Sequence, residues 1–230
     1  GDDLTGGYIL QQNYWDASNS FESNYSPVDH PGFDVHFVHE YPEPDTITVA
    51  QRAYIASYVD SLETALYSAD FMDPVIGYRR YLDVPSFISY FLVNEVSRSN
   101  DGFKKSVFFH KDKNSNGGKL KAGPVWDYDV SSGNGDYCDI WRTDGWAYEF
   151  NTVCGTAPNM VSGWWQKLVQ DPAFQRVLRC RWDELKVAAL SPAALDARMD
   201  SLADLLNESQ GFNFQVWPIM GAYTWPNYYI

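Results

Sequence analysis

One stretch of the sequence has to be buried in any fold that the chain adopts. Residues 87–93 read Phe-Ile-Ser-Tyr-Phe-Leu-Val and would be apolar nearly all round a helix. Such a helix needs packing partners on every side. Asp83 is placed to cap it, and Pro85 is tolerated in its first turn. The sequence therefore predicts a central buried helix that ends between Ser97 and Gly102.

Polar residues begin abruptly at the end of this apolar run. Asn94 and Glu95 interrupt it, and a strong turn signal, Asn100-Asp101-Gly102, follows. Burying a carboxylate is costly unless the group is paired. We therefore expect Glu95 to have a partner in the fold.

A hairpin is predicted after the turn. Two short strands, over residues 106–111 and 119–122, flank a polar tip. Within the tip, residues 112–117 carry oxygens at alternating positions and end in Gly, like the first half of a calcium loop. The twelfth position of such a loop is Glu, but here it is Gly123, so a plain hairpin tip is favoured.

The segment after the second strand is rich in carboxylates. Residues 123–129 read Gly-Pro-Val-Trp-Asp-Tyr-Asp, and Asn134 follows them. On an extended segment Asp127 and Asp129 would point to the same side, opposite Trp126 and Tyr128. Two neighbouring carboxylates repel unless a cation lies between them, and Mg²⁺ prefers such oxygens. The spacing therefore predicts a site for a divalent metal.

The order of these elements is that of protein kinases. In kinases a base Asp is followed five residues later by a metal-binding Asn, and a second Asp after a hairpin holds Mg²⁺. Here Asp101 has Ser106 five residues on, and no His-Arg pair precedes it. The order matches, whereas the local catalytic-loop motif does not.

On these residues the sequence resembles the spore coat protein H-like (CotH) kinases. The stretches that carry the resemblance are residues 4–10, 83–95, 100–102, 106–107, 123–129 and 133–134. The resemblance implies an atypical kinase-like α+β fold. It also implies that ATP and Mg²⁺ or Mn²⁺ are used to phosphorylate Ser or Thr in secreted, spore-coat or other bacterial surface proteins.

The same resemblance implies roles for individual residues. Asp101 corresponds to the catalytic-loop Asp and Asp127 to the metal-binding Asp. Asp129 is a further candidate metal ligand, and Ser106 and Asn134 are candidate contacts to the nucleotide. Three residues near the end of the buried helix are expected to support this site: Asn94, Glu95 and Asn100.

The family has parts that this sequence does not show. A nucleotide-clamping N-terminal lobe precedes its Gly-Gly-Tyr strand, and a final helical segment follows its aromatic stretch. We therefore expect one domain, mainly the helical C-terminal lobe with a short catalytic-loop hairpin, that belongs to a longer protein and is inactive alone. Its parts are a strand-and-loop entry (1–47), a core with the site (48–134) and a helical part (135–230).

Periodicity predicts further elements on both sides of the central region. A capping box at Thr48 and Gln51 begins a helix. The remaining predictions are strands over residues 7–11 and 33–38 and helices over residues 164–187 and 192–208.

The composition excludes several classes of protein. Apolar residues make up 45% and aromatic residues 17%, which excludes a disordered chain. The net charge of −13 with scattered basic residues excludes a nucleic-acid partner. No apolar run approaches the ~18 residues of a membrane span, and no signal sequence is recognisable. The family then implies an extracellular, cell-surface or spore-coat location.

Cysteine and histidine spacing predicts no metal site. The three cysteines lack CxxC spacing, and Cys180 is interpreted as a small buried hydrophobe. A disulfide between Cys138 and Cys154 would suit an exported protein, but the sequence leaves its formation open. Among the histidines only His36 and His39 are close in sequence, and on a strand they would face opposite sides.

Two alternatives from other classes remain. A glycoside hydrolase would use Asp101 and Asp127 as a carboxylate pair about 5 to 10 Å apart. A carbohydrate-binding surface module would use exposed Trp and Tyr side chains. Convergence of the two carboxylates on one metal-sized site would favour the kinase, and a long aromatic cleft would favour the sugar readings.

Overall fold

A five-stranded antiparallel sheet with helices packed against it forms the body of the protein. The computed structural model describes residues 1–154 and 160–225. The sheet order is β2-β3-β1-β4-β5, so the first strand lies at its centre. The strands are β1 (Tyr8–Gln12), β2 (Ser20–Glu22), β3 (His36–Tyr41), β4 (Val107–Lys111) and β5 (Leu120–Ala122).

Five α-helices complete this fold in the described part of the chain, and the predicted α+β class is confirmed. They are α1 (Val49–Tyr67), α2 (Val84–Ser97), α3 (Gly163–Val169), α4 (Pro172–Leu185) and α5 (Pro192–Val216). None of the helices over residues 1–154 and 160–225 combines the length and the hydropathy that a membrane crossing requires.

The two helix starts that the sequence marks most clearly are confirmed. At α1 the Gln51 backbone N–H donates to Thr48 Oγ1 (3.3 Å), and the Thr48 N–H donates to Gln51 Oε1 (2.9 Å), which completes a capping box. At α2 the Ser86 N–H donates to Asp83 Oδ1 (3.0 Å). Local sequence therefore sets both starts before any tertiary contact is made.

The core joins α2 to the sheet through two tryptophans of α3. Trp164 stacks against Phe37 of β3 and Phe109 of β4, with ring centroids 5.3 Å apart in both pairs. Trp165 packs on Phe87 of α2 (5.5 Å) and on Phe103 just beyond α2 (5.0 Å). All five side chains are fully buried, so α2 is the central buried helix that its sequence predicts.

The predicted strands differ from the observed ones at the N-terminal edge. The strand predicted over 33–38 lies three residues further on, at β3. Its position is set by pairing, since His36 lies opposite Glu22 and Tyr41 lies opposite Ile9. Strand β2 was not predicted, because three residues are too few to show an alternation.

Three predictions in the C-terminal part are wrong. The helix predicted over 164–187 is two helices, because Asp171 caps α4 through the Ala173 N–H (2.8 Å) and Pro172 cannot continue α3. Helix α5 runs to Val216 rather than to 208. Cys180 is exposed rather than buried.

Glu63 of α1 is a carboxyl group inside this core. It is 1% exposed and its Oε1 accepts hydrogen bonds from Ser23 Oγ (2.7 Å) and Trp164 Nε1 (2.8 Å). Burial raises its pKa from 4.5 to about 7, although the two hydrogen bonds favour the charged form. The folded protein therefore holds a proton on Glu63 that the unfolded chain releases at lower pH.

The raised pKa of Glu63 predicts a loss of stability as the pH rises. Its contribution is fully present below pH 4.5 and is lost as the pH passes through about 7. Glu63→Gln removes this proton and should make the free energy of unfolding less dependent on pH, by at most about 1.4 kcal/mol per pH unit. Urea unfolding between pH 4.5 and 8 measures this.

Glu40→Gln, at an exposed position of β3, is the matched control and should leave the slope unchanged. Equal slopes in the parent protein and in Glu63→Gln would contradict the assignment of the buried proton to Glu63.

Candidate active site

Three segments meet at the C-terminal end of α2: the helix itself, the turn over residues 98–106 and the segment over residues 123–134. Arg98 ends the helix in the left-handed conformation (φ 45°). Two backbone hydrogen bonds then join the segments, from Asn100 N–H to Val130 O (3.2 Å) and from Ser132 N–H to Ser97 O (2.6 Å). The predicted catalytic turn and the predicted metal segment are therefore held side by side.

Asn94 anchors the second segment to α2. Its side chain is fully buried, its Nδ2 donates to Tyr90 O (2.8 Å), and its Oδ1 accepts from the hydroxyl of Tyr128 (2.7 Å). Tyr128 lies between the two predicted metal-binding carboxylates in the chain. The buried amide thereby fixes the segment that carries them.

Gly102 allows the turn to approach Asn94 this closely. A Cβ atom at position 102 would lie 1.5 Å from Asn94 Oδ1, far inside the van der Waals limit. The Gly in the Asn-Asp-Gly turn is thus required by a tertiary contact and not by the turn alone.

Asp101 lies at the inner side of the site, 8% exposed. Its Oδ1 accepts from Asn100 Nδ2 (3.0 Å), and its Oδ2 lies 3.5 Å from Lys105 Nζ. Burial acts against the charge of Lys105, but the Asp101 carboxylate and the Tyr14 hydroxyl outweigh it and raise the pKa of Lys105. Asp101 is thus oriented by an amide on one oxygen and by a cation near the other.

Ser106 and Asp127 are brought together across the site. Ser106 Oγ lies 3.4 Å from Asp127 Oδ2, and both residues have left-handed backbones, with φ of 58° and 61°. Such values are uncommon outside Gly and cluster at functional sites. Ser106 is buried and Asp127 is exposed, so the contact joins the floor of the site to its solvent side.

The alternation predicted for residues 126–129 is wrong, since Asp127 does not have an extended backbone. Trp126 is 61% exposed, whereas Tyr128 reaches the buried Asn94, so these two side chains do not share a face. Asp129 and Asn134 lie on the exposed side, where Asn134 Nδ2 donates to Asp129 O (2.7 Å).

Glu95 has the partner that its burial requires, but it belongs to a different part of the structure. Its carboxylate accepts from the backbone N–H groups of Ala147 and Tyr148, both at 2.9 Å. Burial raises the pKa of Glu95 to about 7, although these two hydrogen bonds favour the charged form. Glu95 also lines a cavity of about 800 Å³ between α2, α4 and residues 143–148. Neither Asp101 nor Asp127 lines that cavity.

The hairpin tip over residues 112–117 is occupied by protein contacts. The Asp112 carboxylate accepts from the Lys113 N–H (2.7 Å) and from the Asn116 side chain, and Lys113 forms an ion pair with Asp3. These contacts are those of a plain hairpin tip packed on the N-terminal turn.

Cys138 and Cys154 form a disulfide, with their Cα atoms 5.4 Å apart. The residue before the first cysteine, Tyr137, reaches the site, where its hydroxyl accepts from Asn100 Nδ2 (3.2 Å). Burial raises the pKa of Tyr137, and the carboxylates of Asp101 and Asp129 act in the same direction. No sequence signal marked Tyr137 or Lys105 as part of the site.

The oxygen atoms of the site fit a hard divalent cation. Asp127 and Asp129 present exposed carboxylates, and Asn100 Oδ1 is a buried acceptor without a hydrogen-bond partner among residues 1–154 and 160–225. Carboxylate and amide oxygens are the ligands that Mg²⁺ takes. The donor set therefore suits Mg²⁺ or Mn²⁺ bound with a phosphate-bearing ligand.

Comparison with known proteins gives one result. The model of a family described as CotH kinase protein matches residues 3–228, nearly the whole chain. No curated protein and no solved structure matches the chain.

The close approach at Gly102 predicts a strong effect of a single methyl group. Gly102→Ala forces Asn94 Oδ1 away and breaks its hydrogen bond with Tyr128, which should lower the free energy of unfolding by about 1–3 kcal/mol. Urea unfolding followed by tryptophan fluorescence measures the loss.

The matched control is Gly211→Ala in α5, where a Cβ would meet nothing within 4 Å. It should stabilise the protein by about 0.5–1 kcal/mol, because Ala favours a helix over Gly. Similar losses in both variants would argue against the contact with Asn94.

Proposed function

The chain belongs to the CotH kinase family, and we propose that it is the catalytic portion of an atypical protein kinase acting on Ser or Thr of secreted or surface proteins. The observation that carries this proposal is the junction at the end of α2. There the turn of Asp101 and the segment of Asp127 are joined by two backbone hydrogen bonds and by the contact of Ser106 with Asp127.

Asp101 is the proposed catalytic base. The acceptor hydroxyl gives its proton to the Asp101 carboxylate while its oxygen bonds to the γ-phosphorus of ATP, and the bond from that phosphorus to the β-phosphate oxygen breaks to release ADP. The Asn100 amide supports this role because it fixes one carboxylate oxygen at 3.0 Å. Lys105, near the other oxygen, disfavours protonation of Asp101 before the acceptor is bound.

Asp127 is the proposed principal metal ligand and Asp129 a second one. Bound Mg²⁺ or Mn²⁺ would neutralise negative charge on the phosphates during transfer. The left-handed backbone at Asp127 supports this role, because it turns a carboxylate outward from a segment that Tyr128 anchors inside. Ser106 and Asn134 flank the two carboxylates and are the proposed contacts to the nucleotide phosphates.

An extracellular or surface location agrees with the disulfide. Bonds between cysteines persist in oxidising compartments and are rare in the cytosol. Cys138 and Cys154 are paired, and Cys180 is free and exposed. A secreted protein substrate is therefore proposed together with a secreted enzyme.

The carbohydrate alternative has one observation in its favour, the exposed ring of Trp126 next to Asp127. Membership of a kinase family favours phosphoryl transfer, so sugar binding is the secondary proposal. Binding of oligosaccharides without any ATP-dependent labelling would reverse this order.

Labelling with radioactive ATP tests the proposal on the protein at its native length. With Mg²⁺ and dephosphorylated casein as the Ser/Thr acceptor, Asp101→Asn and Asp127→Asn should each lower the rate of labelling by at least about 100-fold. Calorimetry should separate them, because Asp127→Asn loses metal-dependent ATP binding whereas Asp101→Asn keeps it.

The matched control is Asp112→Asn at the hairpin tip, outside the proposed site, which should label at the parent rate. Unchanged labelling in Asp127→Asn would remove the metal assignment, and unchanged labelling in both site variants would remove the proposal.

A further inference from the structure

Three potential metal ligands meet on the far edge of the sheet, outside the proposed kinase site. They are Glu22 of β2, Asp34 just before β3 and His36 at the start of β3. Each offers one ligand atom, and these atoms all lie within 4.8 Å of one another. This is the one such cluster of three or more His, Cys, Asp or Glu side chains in the described part of the chain.

Strand pairing creates the cluster. Glu22 lies directly opposite His36 in the antiparallel pair of β2 and β3, and the Ser23 N–H continues the pairing to Val35 O (2.8 Å). Directly opposed residues share a face, and so do residues two apart on a strand. Glu22, His36 and Asp34 are therefore on one face by the geometry of the sheet.

The His36 ring is held in place from two sides. Trp15 stacks on it, with ring centroids 3.4 Å apart and planes 9° from parallel. Ser20 Oγ lies 3.2 Å from His36 Nδ1. A metal-binding imidazole is typically oriented by a hydrogen bond at its other nitrogen, and the contact with Ser20 leaves Nε2 for a metal.

A second, independent feature points to a bound ligand at the same place. A small cavity is lined by Gln12, Asp34 and His36. Gln12 is 3% exposed, and neither its Nε2 nor its Oε1 has a hydrogen-bond partner among the described residues. Leaving such a buried amide unsatisfied costs about 1–3 kcal/mol. A hydrated ion beside the cavity would give the amide its missing partner.

We propose that Glu22, Asp34 and His36 bind one Zn²⁺ ion, with a water molecule that hydrogen-bonds to Gln12 in the fourth position. Three protein ligands of nitrogen and oxygen type plus water form a common zinc coordination. An imidazole nitrogen disfavours Mg²⁺ and Ca²⁺, which prefer oxygen ligands alone. The proposed zinc site is therefore chemically distinct from the all-oxygen site at Asp127 and Asp129.

The charges around the cavity agree with a dication. Two carboxylates balance the charge of Zn²⁺, so the complex with neutral His36 carries no net charge. Lys104 lines the other side of the cavity, and burial lowers its pKa while the Asp101 carboxylate opposes that effect. A neutral zinc complex leaves this buried lysine without a repelling neighbour.

The sequence gave no sign of this site, because only His36 and His39 were close enough to compare and they face different environments. The cluster takes one ligand from each of two strands and one from the connecting loop. Its members become neighbours only when β2 pairs with β3.

Calorimetric titration of chelator-treated protein with Zn²⁺ tests the proposal. The native-length chain carries Cys180→Ser in all samples, because an exposed thiol also binds zinc. We expect one Zn²⁺ per chain, and at least about 10-fold weaker binding in His36→Gln and in Glu22→Gln. His30→Gln and Asp127→Asn are the matched controls and should bind zinc as the parent does.

Cobalt provides a readout that does not depend on affinity. The Co²⁺-loaded parent should show the intense visible absorption of a four-coordinate site, and His36→Gln should lose it while its far-UV circular dichroism stays unchanged. Absence of zinc binding in the parent would overturn the proposal. So would equal zinc binding in the parent, His36→Gln and Glu22→Gln. Because Asp127→Asn keeps the zinc, failure of the kinase proposal leaves this test intact.

Discussion

The packing of two adjacent tryptophans determines the rest of the structure. Consecutive residues of a helix point about 100° apart, so Trp164 faces the sheet while Trp165 faces α2. Both rings are fully buried, and the indole N–H of Trp164 is bound by Glu63 of α1. One short helix, α3, thereby holds the sheet, α1 and α2 in fixed relation. The end of α2, where the candidate active site lies, takes its position from that arrangement.

The sequence predicts the elements whose signals are local. The capping box of α1, the Asp83 cap and apolar run of α2, and the hairpin of β4 and β5 are all present. Elements set by tertiary pairing were missed or misplaced, as β2 and β3 show. The break at Asp171-Pro172 does have a local signal, which the apolar periodicity on both sides concealed.

The candidate site divides in the same way. The residues themselves could be found from the sequence through their resemblance to a family. Their geometry could not, because a left-handed backbone at Asp127 and a buried hydrogen bond from Tyr128 to Asn94 depend on contacts between distant segments. Glu95 shows the limit most clearly, since its expected partner exists but is the backbone of residues 147 and 148 rather than another site residue.

The disulfide gives the site a dependence on the compartment in which the chain folds. Tyr137, the neighbour of Cys138, touches Asn100 beside Asp101, while Ala147 and Tyr148, inside the closed loop, bind Glu95 at the end of α2. One covalent bond thus closes a loop that contacts the candidate catalytic turn and the helix before it. Assembly of the site is then completed by an oxidation, so the chain would reach its final form only after leaving a reducing environment.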